Sequence, residues 1–174
     1  MNYQILDFRK KEHIKVNDAE VIFFIVDEEV ENDSLENFST SDLNILIIVG
    51  DKKIDIPKNI HGFCYLQQDE VERFIHEFVE IENRENLISL CLYDIKVFLN
   101  LIATEPRKIY FYTQIPSTEM NFTSGIVLLK GYAYKNERFN LALNHIGLIF
   151  KNTGDYAYAL KEIGESGISC FFTK

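Results

Sequence analysis

A chain of 174 residues that is 47% hydrophobic and 13% aromatic can close one sizeable core but is too short for two comfortable domains, so a single domain is expected. Its 27 acids against 18 bases, a net charge of −9, disfavour a nucleic-acid surface, because phosphates are held by clustered Lys and Arg. No apolar run reaches the roughly 18 residues that a membrane span requires, and Met1-Asn2-Tyr3-Gln4 opens without a basic and then apolar leader. No membrane association is expected, and the expected location is the cytoplasm.

In chain order, Val21-Ile22-Phe23-Phe24-Ile25-Val26, Leu43 to Val49 and Gly62-Phe63-Cys64-Tyr65-Leu66 are short, apolar and bounded by Asp, Asn, Gly and Pro, which predicts buried strands. Their continuous apolarity, in place of alternation, suits strands covered on both faces. The expected class is therefore α/β, with a mostly parallel sheet flanked by helices. Between Asp69 and Glu82 the period changes: Val71, Phe74, Ile75, Phe78 and Val79 recur at helical spacing and acids fill the other face. A second stripe, from Ile88 through Ile95 to Ile102, predicts another helix, with Asp94 as a cap if the helix is shorter.

Glu105-Pro106 stops that helix, and Lys108 to Thr113 follows as a strand. Gly125 to Tyr134 fits either strand or helix start, with strand preferred. Arg138 to His145 is expected to be a helix, Gly147 to Phe150 a strand, Asp155 to Ile163 a capped helix and Ile168 to Phe172 a final strand. Cys64, Cys91 and Cys170 are widely spaced, odd in number and set in apolar runs, the pattern of buried free thiols in a reducing compartment.

The densest charge run, Asp27-Glu28-Glu29-Val30-Glu31-Asn32-Asp33 with Glu36 nearby, directly follows the first strong strand. Carboxylates at the carboxyl end of a strand in an open α/β sheet can dock a basic partner or hold a cation, although their spacing matches no metal loop. A second acidic surface lies on the 69–85 segment, where Glu77, Glu80 and Glu82 sit toward the helix C-terminus, an end that the helix dipole does not favour for acids. His13, His61, His76 and His145 form no metal-ligand pattern. No Gly-x-Ser-x-Gly, Gly-x-x-x-x-Gly-Lys or Gly-x-Gly-x-x-Gly occurs, so no catalytic residue, cofactor or metal is expected.

Several segments, taken in order, resemble the bacterial tubulin-like cell-division GTPases, the FtsZ family. Ala19 to Val26 resembles the strand that precedes that family's glycine-rich phosphate loop, and Leu43 to Val49 a following strand. Asn86 to Ile95 is similar to the segment carrying the family's Asn-x-Asp-x-x-Asp, with Ser89, Cys91 and Asp94 at the matching positions. Gly147 to Gly154 with Leu160 to Ile163 is similar to a strand, turn and helix near its C-terminus. Where the family has phosphate-binding glycines this chain has the Asp27 to Asp33 run, which repels a triphosphate. The resemblance implies a fold of that kind with nucleotide binding and hydrolysis lost. On the same C-terminal residues, Leu143, Gly147, Phe150, Gly154, Tyr156 and Ala159 have a spacing similar to one tetratricopeptide helix pair, without a second copy.

The expected function is non-catalytic binding of a basic protein. Its most specific form is an immunity or antitoxin-like inhibitor whose Asp27, Glu28, Glu29, Glu31, Asp33 and Glu36 replace phosphates, with Glu77, Glu80 and Glu82 as second choice. The alternative is a degenerate tubulin-like structural or regulatory protein.

Overall fold

A computed structural model describes residues 1–10, 18–27, 41–51, 53–99, 105–117, 122–150 and 155–174. By contact these divide into two compact units, Met1–His76 with Leu99–Lys108, and Glu77–Phe98 with Ile109–Lys174.

The first unit begins with a strand that the periodicity did not reveal, β1 (Tyr3–Asp7). It is followed by β2 (Val21–Val26), β3 (Leu43–Val49) and β4 (Gly62–Leu66), the three predicted runs. All neighbours pair in parallel and in sequence order: Tyr3 lies opposite Val21, Val21 opposite Leu43, and Ile45 opposite Gly62. Every residue of β2 is buried, which is why β2 reads as unbroken apolar sequence. Leu6, Ile22, Phe24, Val26, Leu46, Ile48 and Ile60 form a largely aliphatic cluster. Helix α1 (Val71–Glu80) follows a single 3-10 turn over Gln68–Glu70. Glu70 reaches back to accept from the Gln67 N–H at 2.9 Å, satisfying a donor that the first helical turn cannot. Val71, Phe74, Ile75 and Phe78 are buried, as the helical period requires.

Strand β5 (Arg107–Tyr112) lends Arg107 and Lys108 to the first unit, opposite Gly62 and Phe63 of β4. In the second unit Ile109–Tyr112 pairs antiparallel with β8 (Gly167–Thr173), which also pairs antiparallel with β6 (Ser124–Lys130). β6 and β7 (Asp155–Lys161) are parallel and are joined through helix α3 (Glu137–Ile149), capped by Asn136, whose Oδ1 accepts from the Phe139 N–H at 2.7 Å. The core here is aromatic, with Phe122, Phe139, Phe150 and Phe172 among Val127, Leu129, Ile146 and Ile149. The architecture is α/β, with mostly parallel strands and accompanying helices, as expected.

Three local expectations are corrected. Gly147 to Phe150 is not a strand, because α3 continues through Ile149; Ile146, Ile149 and Phe150 are buried, a helical spacing that the short apolar run concealed. Asp155 to Lys161 is a strand, not a helix, in full register with β6 from Ser124 opposite Asp155 to Lys130 opposite Lys161. The segment reads as a capped helix, yet Tyr156, Tyr158 and Leu160 alternate with Ala157 and Ala159, and sheet pairing overrides local preference. With Tyr156 and Ala159 on a strand, the tetratricopeptide spacing has no helix pair behind it. The stripe from Ile88 is not one helix either. Ile88 bridges to Leu160, and α2 (Leu92–Phe98) starts ahead of Asp94, whose Oδ2 accepts from the Cys91 N–H at 2.8 Å. Residues 100–104 lie outside the described residues.

Candidate functional site

At the carboxyl ends of the first unit's strands, Asp7 closes β1, half-buried Asp27 follows β2 and Gln68 follows β4. Arg9 connects two of these ends. Its Nε and Nη2 donate to the two Asp7 carboxylate oxygens at 2.7 Å each, and its Nη1 donates to Gln68 Oε1. This fork-to-fork geometry is the strong form of a charge-assisted pair. The hydrogen bond from Arg9 holds the Asp7 carboxyl below the usual range, and the same bond, with Asp27 adding to it, raises Arg9. A cavity of about 450 Å³ beside the pair is lined by Tyr3, Ile5, Gln68, Glu72 and His76 among others.

Ligands in open α/β sheets sit where the strand order reverses, since only there do adjacent loops diverge and leave a crevice. β1 to β4 run in sequence order without reversal. Among the described residues at these strand ends a phosphate would meet the carboxylates of Asp7 and Asp27, the engaged guanidinium of Arg9, and Lys10, whose Nζ lies 3.7 Å from Asp7. This corner holds itself together and has no described anion cradle.

In the second unit the predicted acids meet lysines. Lys130 and Lys161 are register partners on β6 and β7, a like-charge pair that would be unfavourable alone. Glu77 accepts from Lys130 Nζ, and Glu80 from Lys161 Nζ at 2.6 Å; one turn of α1 thus neutralises both. The bond to Glu80 raises the pKa of Lys161. Glu77 is buried, and its Oε2 has no hydrogen-bond partner. Glu82 Oε1 accepts from the Leu92 N–H at 3.2 Å at the start of α2. Glu28, Glu29, Glu31, Asp33 and Glu36 lie outside the described residues.

One hollow that the sequence did not signal is an open cleft of about 730 Å³ within the second unit. Tyr93, Asp94 and Val97 of α2 form one wall; Thr123 and the start of β6 form the floor; Tyr156 and Ala157 of β7 form the other wall. The floor is tied down by hydroxyls, with Ser124 Oγ donating to the Phe98 carbonyl at 3.0 Å and lying 2.7 Å from Thr173 Oγ1. Next to it, a Cβ on Gly125 would stand 2.5 Å from Phe150 and 2.6 Å from Phe172, so glycine lets the aromatic core rise to the strand. Burial pushes the Tyr156 phenol up. Among the described residues that line the cleft there is no Lys, Arg or His, and one carboxylate, Asp94.

Among the described residues no group of three or more His, Cys, Asp and Glu is arranged to hold a metal ion. No helix there is long and apolar enough to cross a membrane. Cys64 and Cys170 are buried, and burial pushes the Cys64 thiol far up and the Cys170 thiol to about 12. Cys91 differs from the expectation for all three: it is exposed just ahead of α2.

No family model and no curated protein sequence matches the chain. Solved structures of tubulin-like proteins do. An FtsZ variant from M. jannaschii matches with a TM-score of 0.51 and 9% identity, covering 89% of this chain and 65% of that one. CetZ from Methanosaeta thermophila matches with a TM-score of 0.53 and 11% identity, covering 89% and 61%. An empty FtsZ dimer from M. jannaschii matches at 0.52 and 9%, covering 90% and 64%. The chain therefore has an FtsZ-like fold, and it spans less than two thirds of the length of each of these structures. Identity this low speaks to fold alone.

Proposed function

We propose that this chain is a non-catalytic relative of the tubulin-like proteins that acts by binding a protein, with a structural or regulatory role in assemblies built by a tubulin-like partner. The observation that carries this reading is the strand-end corner of the first unit, where Arg9 spends its guanidinium on Asp7 and Gln68. A nucleotide needs free donors and a close backbone approach at such a place. Among the described residues here, two carboxylates stand with an engaged arginine and with Lys10, itself 3.7 Å from Asp7. With a net charge of −9, the electrostatically natural partner is basic.

The test has two parts. Fluorescent GTP titrated into the purified chain is expected to show no saturable binding, and addition of the chain to a tubulin-like homologue from the same host is expected to change the polymer recovered by sedimentation. Saturable GTP binding would overturn the non-catalytic half of the reading, and unchanged polymer the regulatory half. The inhibitor form of the same class predicts a basic partner whose association rate falls steeply with salt; an on-rate indifferent to salt removes it.

A further inference from the structure

We infer that the outer edge of β7 is a strand-addition site, where an extended segment of a partner protein pairs antiparallel with Tyr156-Ala157-Tyr158. This rests on the protein-binding reading above and adds the place and the form of the occupant. Along a strand the N–H and C=O of one residue point to one neighbour and those of the next residue to the other. Two observations fix that alternation on β7. Gly131, just after β6, donates its N–H to the Lys161 carbonyl at 2.8 Å, so the main-chain groups of Lys161, Ala159 and Ala157 face β6. On the other side Leu160 exchanges both of its bonds with Ile88, its N–H donating at 2.8 Å and its carbonyl accepting at 3.2 Å. Tyr158 and Tyr156 therefore turn their main-chain groups outward as Leu160 does, and there they meet no main-chain partner among the described residues. Burial follows the same division. Ala159 and Leu160, beside Ile88, are buried, whereas Tyr156, Ala157 and Tyr158 are half-buried.

The chemistry of the edge names its occupant. Outward donors and acceptors that recur every second residue, about 6.7 Å apart, are matched by an extended polypeptide and not by a helix or a compact ligand. Strand edges that must stay solitary carry lysine, proline or a bulge. Tyr156 to Leu160 has none of these and stays in unbroken register with β6. Ile88 sets the direction, because it pairs antiparallel with Leu160. The next hydrogen-bonded places on that line lie opposite Tyr158 and Tyr156, but this chain turns away, Leu90 donating its N–H to the Ile81 carbonyl at 3.1 Å. The rings brace the strand from one face, with Tyr156 stacked on Phe150 at 5.5 Å and Tyr158 edge-on to Phe139 at 5.8 Å. β-Branched residues placed opposite the two tyrosines add cross-strand packing on that face. A second copy fits less well: twofold pairing brings two chains of −9 together, and Ile88 then limits the shared ladder at both ends, whereas a partner's strand meets that limit at one end.

The probe is a short capped peptide of alternating valine and threonine, N-methylated on the threonines so that only its valine edge can pair. Its control is the same sequence N-methylated throughout. In the chain alone, the Tyr156 and Tyr158 amides are expected to exchange with deuterium faster than those of Ala157, Ala159 and Leu160. Protection of both in a dilute sample would show the edge already filled and overturn the proposal, and protection that grows with protein concentration would assign the edge to a second copy and remove the partner segment. At millimolar concentration the one-edged peptide is expected to shift and protect the Tyr156 and Tyr158 amides, and the control to leave them unchanged; shifts with both peptides, or with neither, overturn strand addition. Tyr158→Pro removes the outward N–H while sparing the bonds to β6, and is expected to weaken peptide binding about tenfold, because one main-chain bond is lost and its acceptor is left unpaired. Tyr158→Ala removes the same ring but keeps the N–H and is expected to bind several times more tightly than Tyr158→Pro. Equal loss in the two would reduce the effect to ring packing and overturn the edge. The exchange and peptide results on the wild type decide the matter even where Tyr158→Pro does not fold. A folded Tyr158→Pro that changes the polymer of the tubulin-like homologue as the wild type does would overturn the edge and leave a protein-binding role elsewhere intact.

Discussion

The two units solve burial differently. In the first, β2 and β3 are covered on both faces and packed mostly with Ile, Leu and Val; Phe24 stacks on Phe8 at 6.2 Å, and Phe23 and Phe74 are the unit's other fully buried rings among the described residues. In the second, Phe172 lies 4.8 Å from Phe122 and 5.1 Å from Phe150, and Phe171 lies 5.2 Å from Phe111 and 5.4 Å from Phe78. Aliphatic strands announce themselves as unbroken apolar runs. The aromatic strands β5 and β8 are as legible, whereas β7 is not, because Tyr156 and Tyr158 alternate there with Ala157 and Ala159.

The largest effect that would break this comparison is in the aromatic core. Phe172→Ala is expected to cost about 3–5 kcal/mol, with a further contribution of about 0.5–1.5 kcal/mol for each ring pair lost. It should therefore exceed Phe24→Ala in the first unit. Urea unfolding of the two variants decides, and an equal or reversed order would show that the rings in the second unit are merely bulk.

Gly125→Ala comes next. A methyl 2.5 Å from Phe150 overpacks the cluster at a cost of about 1–3 kcal/mol, read as a lower urea midpoint with an unchanged slope. Glu77→Ala leaves Lys130 beside Lys161 with one counter-ion. Lys130 is partly exposed, so the expected loss is about 1–3 kcal/mol, below that for a fully buried pair. Replacing Glu77 and Lys130 together by Leu and Met is expected to recover most of it.

Proton linkage separates the units by sign. Asp7, lowered by its bond from Arg9, contributes stability that is present above the unfolded carboxyl value of about 3.9 and is lost as pH falls through the lower folded value. Lys161, raised by Glu80, contributes stability that is present below the unfolded lysine value and is lost as pH rises through the higher folded value. Amide exchange is expected to loosen β1 first in acid for the wild type but not for Asp7→Asn, and β7 first in alkali. The smallest effect is chemical: of the three thiols, Cys91 is expected to react promptly with a maleimide, while Cys64 and Cys170 stay silent until unfolding. Mass spectrometry after brief labelling reads the site.

The residue pattern by itself determined the class. Runs such as Val21–Val26 and Leu43–Val49 must be buried wherever they lie, and the stripe of Val71, Phe74, Ile75 and Phe78 admits only a helix. Their order, with the resemblance carried by Ala19 to Val26, was enough to reach a tubulin-like fold. Tertiary structure decided what local preference left balanced. Tyr156-Ala157-Tyr158-Ala159-Leu160 is a strand because β6 offers it a full ladder, and Gly147 to Ile149 remains helical because that places Ile149, and Phe150 just after it, in the core. It likewise decided that Glu77 and Glu80 face Lys130 and Lys161, and that Arg9 closes on Asp7 and Gln68. The cleft beneath Tyr93 and Val97 was invisible in the sequence because its walls come from residues up to 64 positions apart, Tyr93 and Ala157, and an exposed tyrosine on a short helix carries no signal until its neighbours are assembled around it.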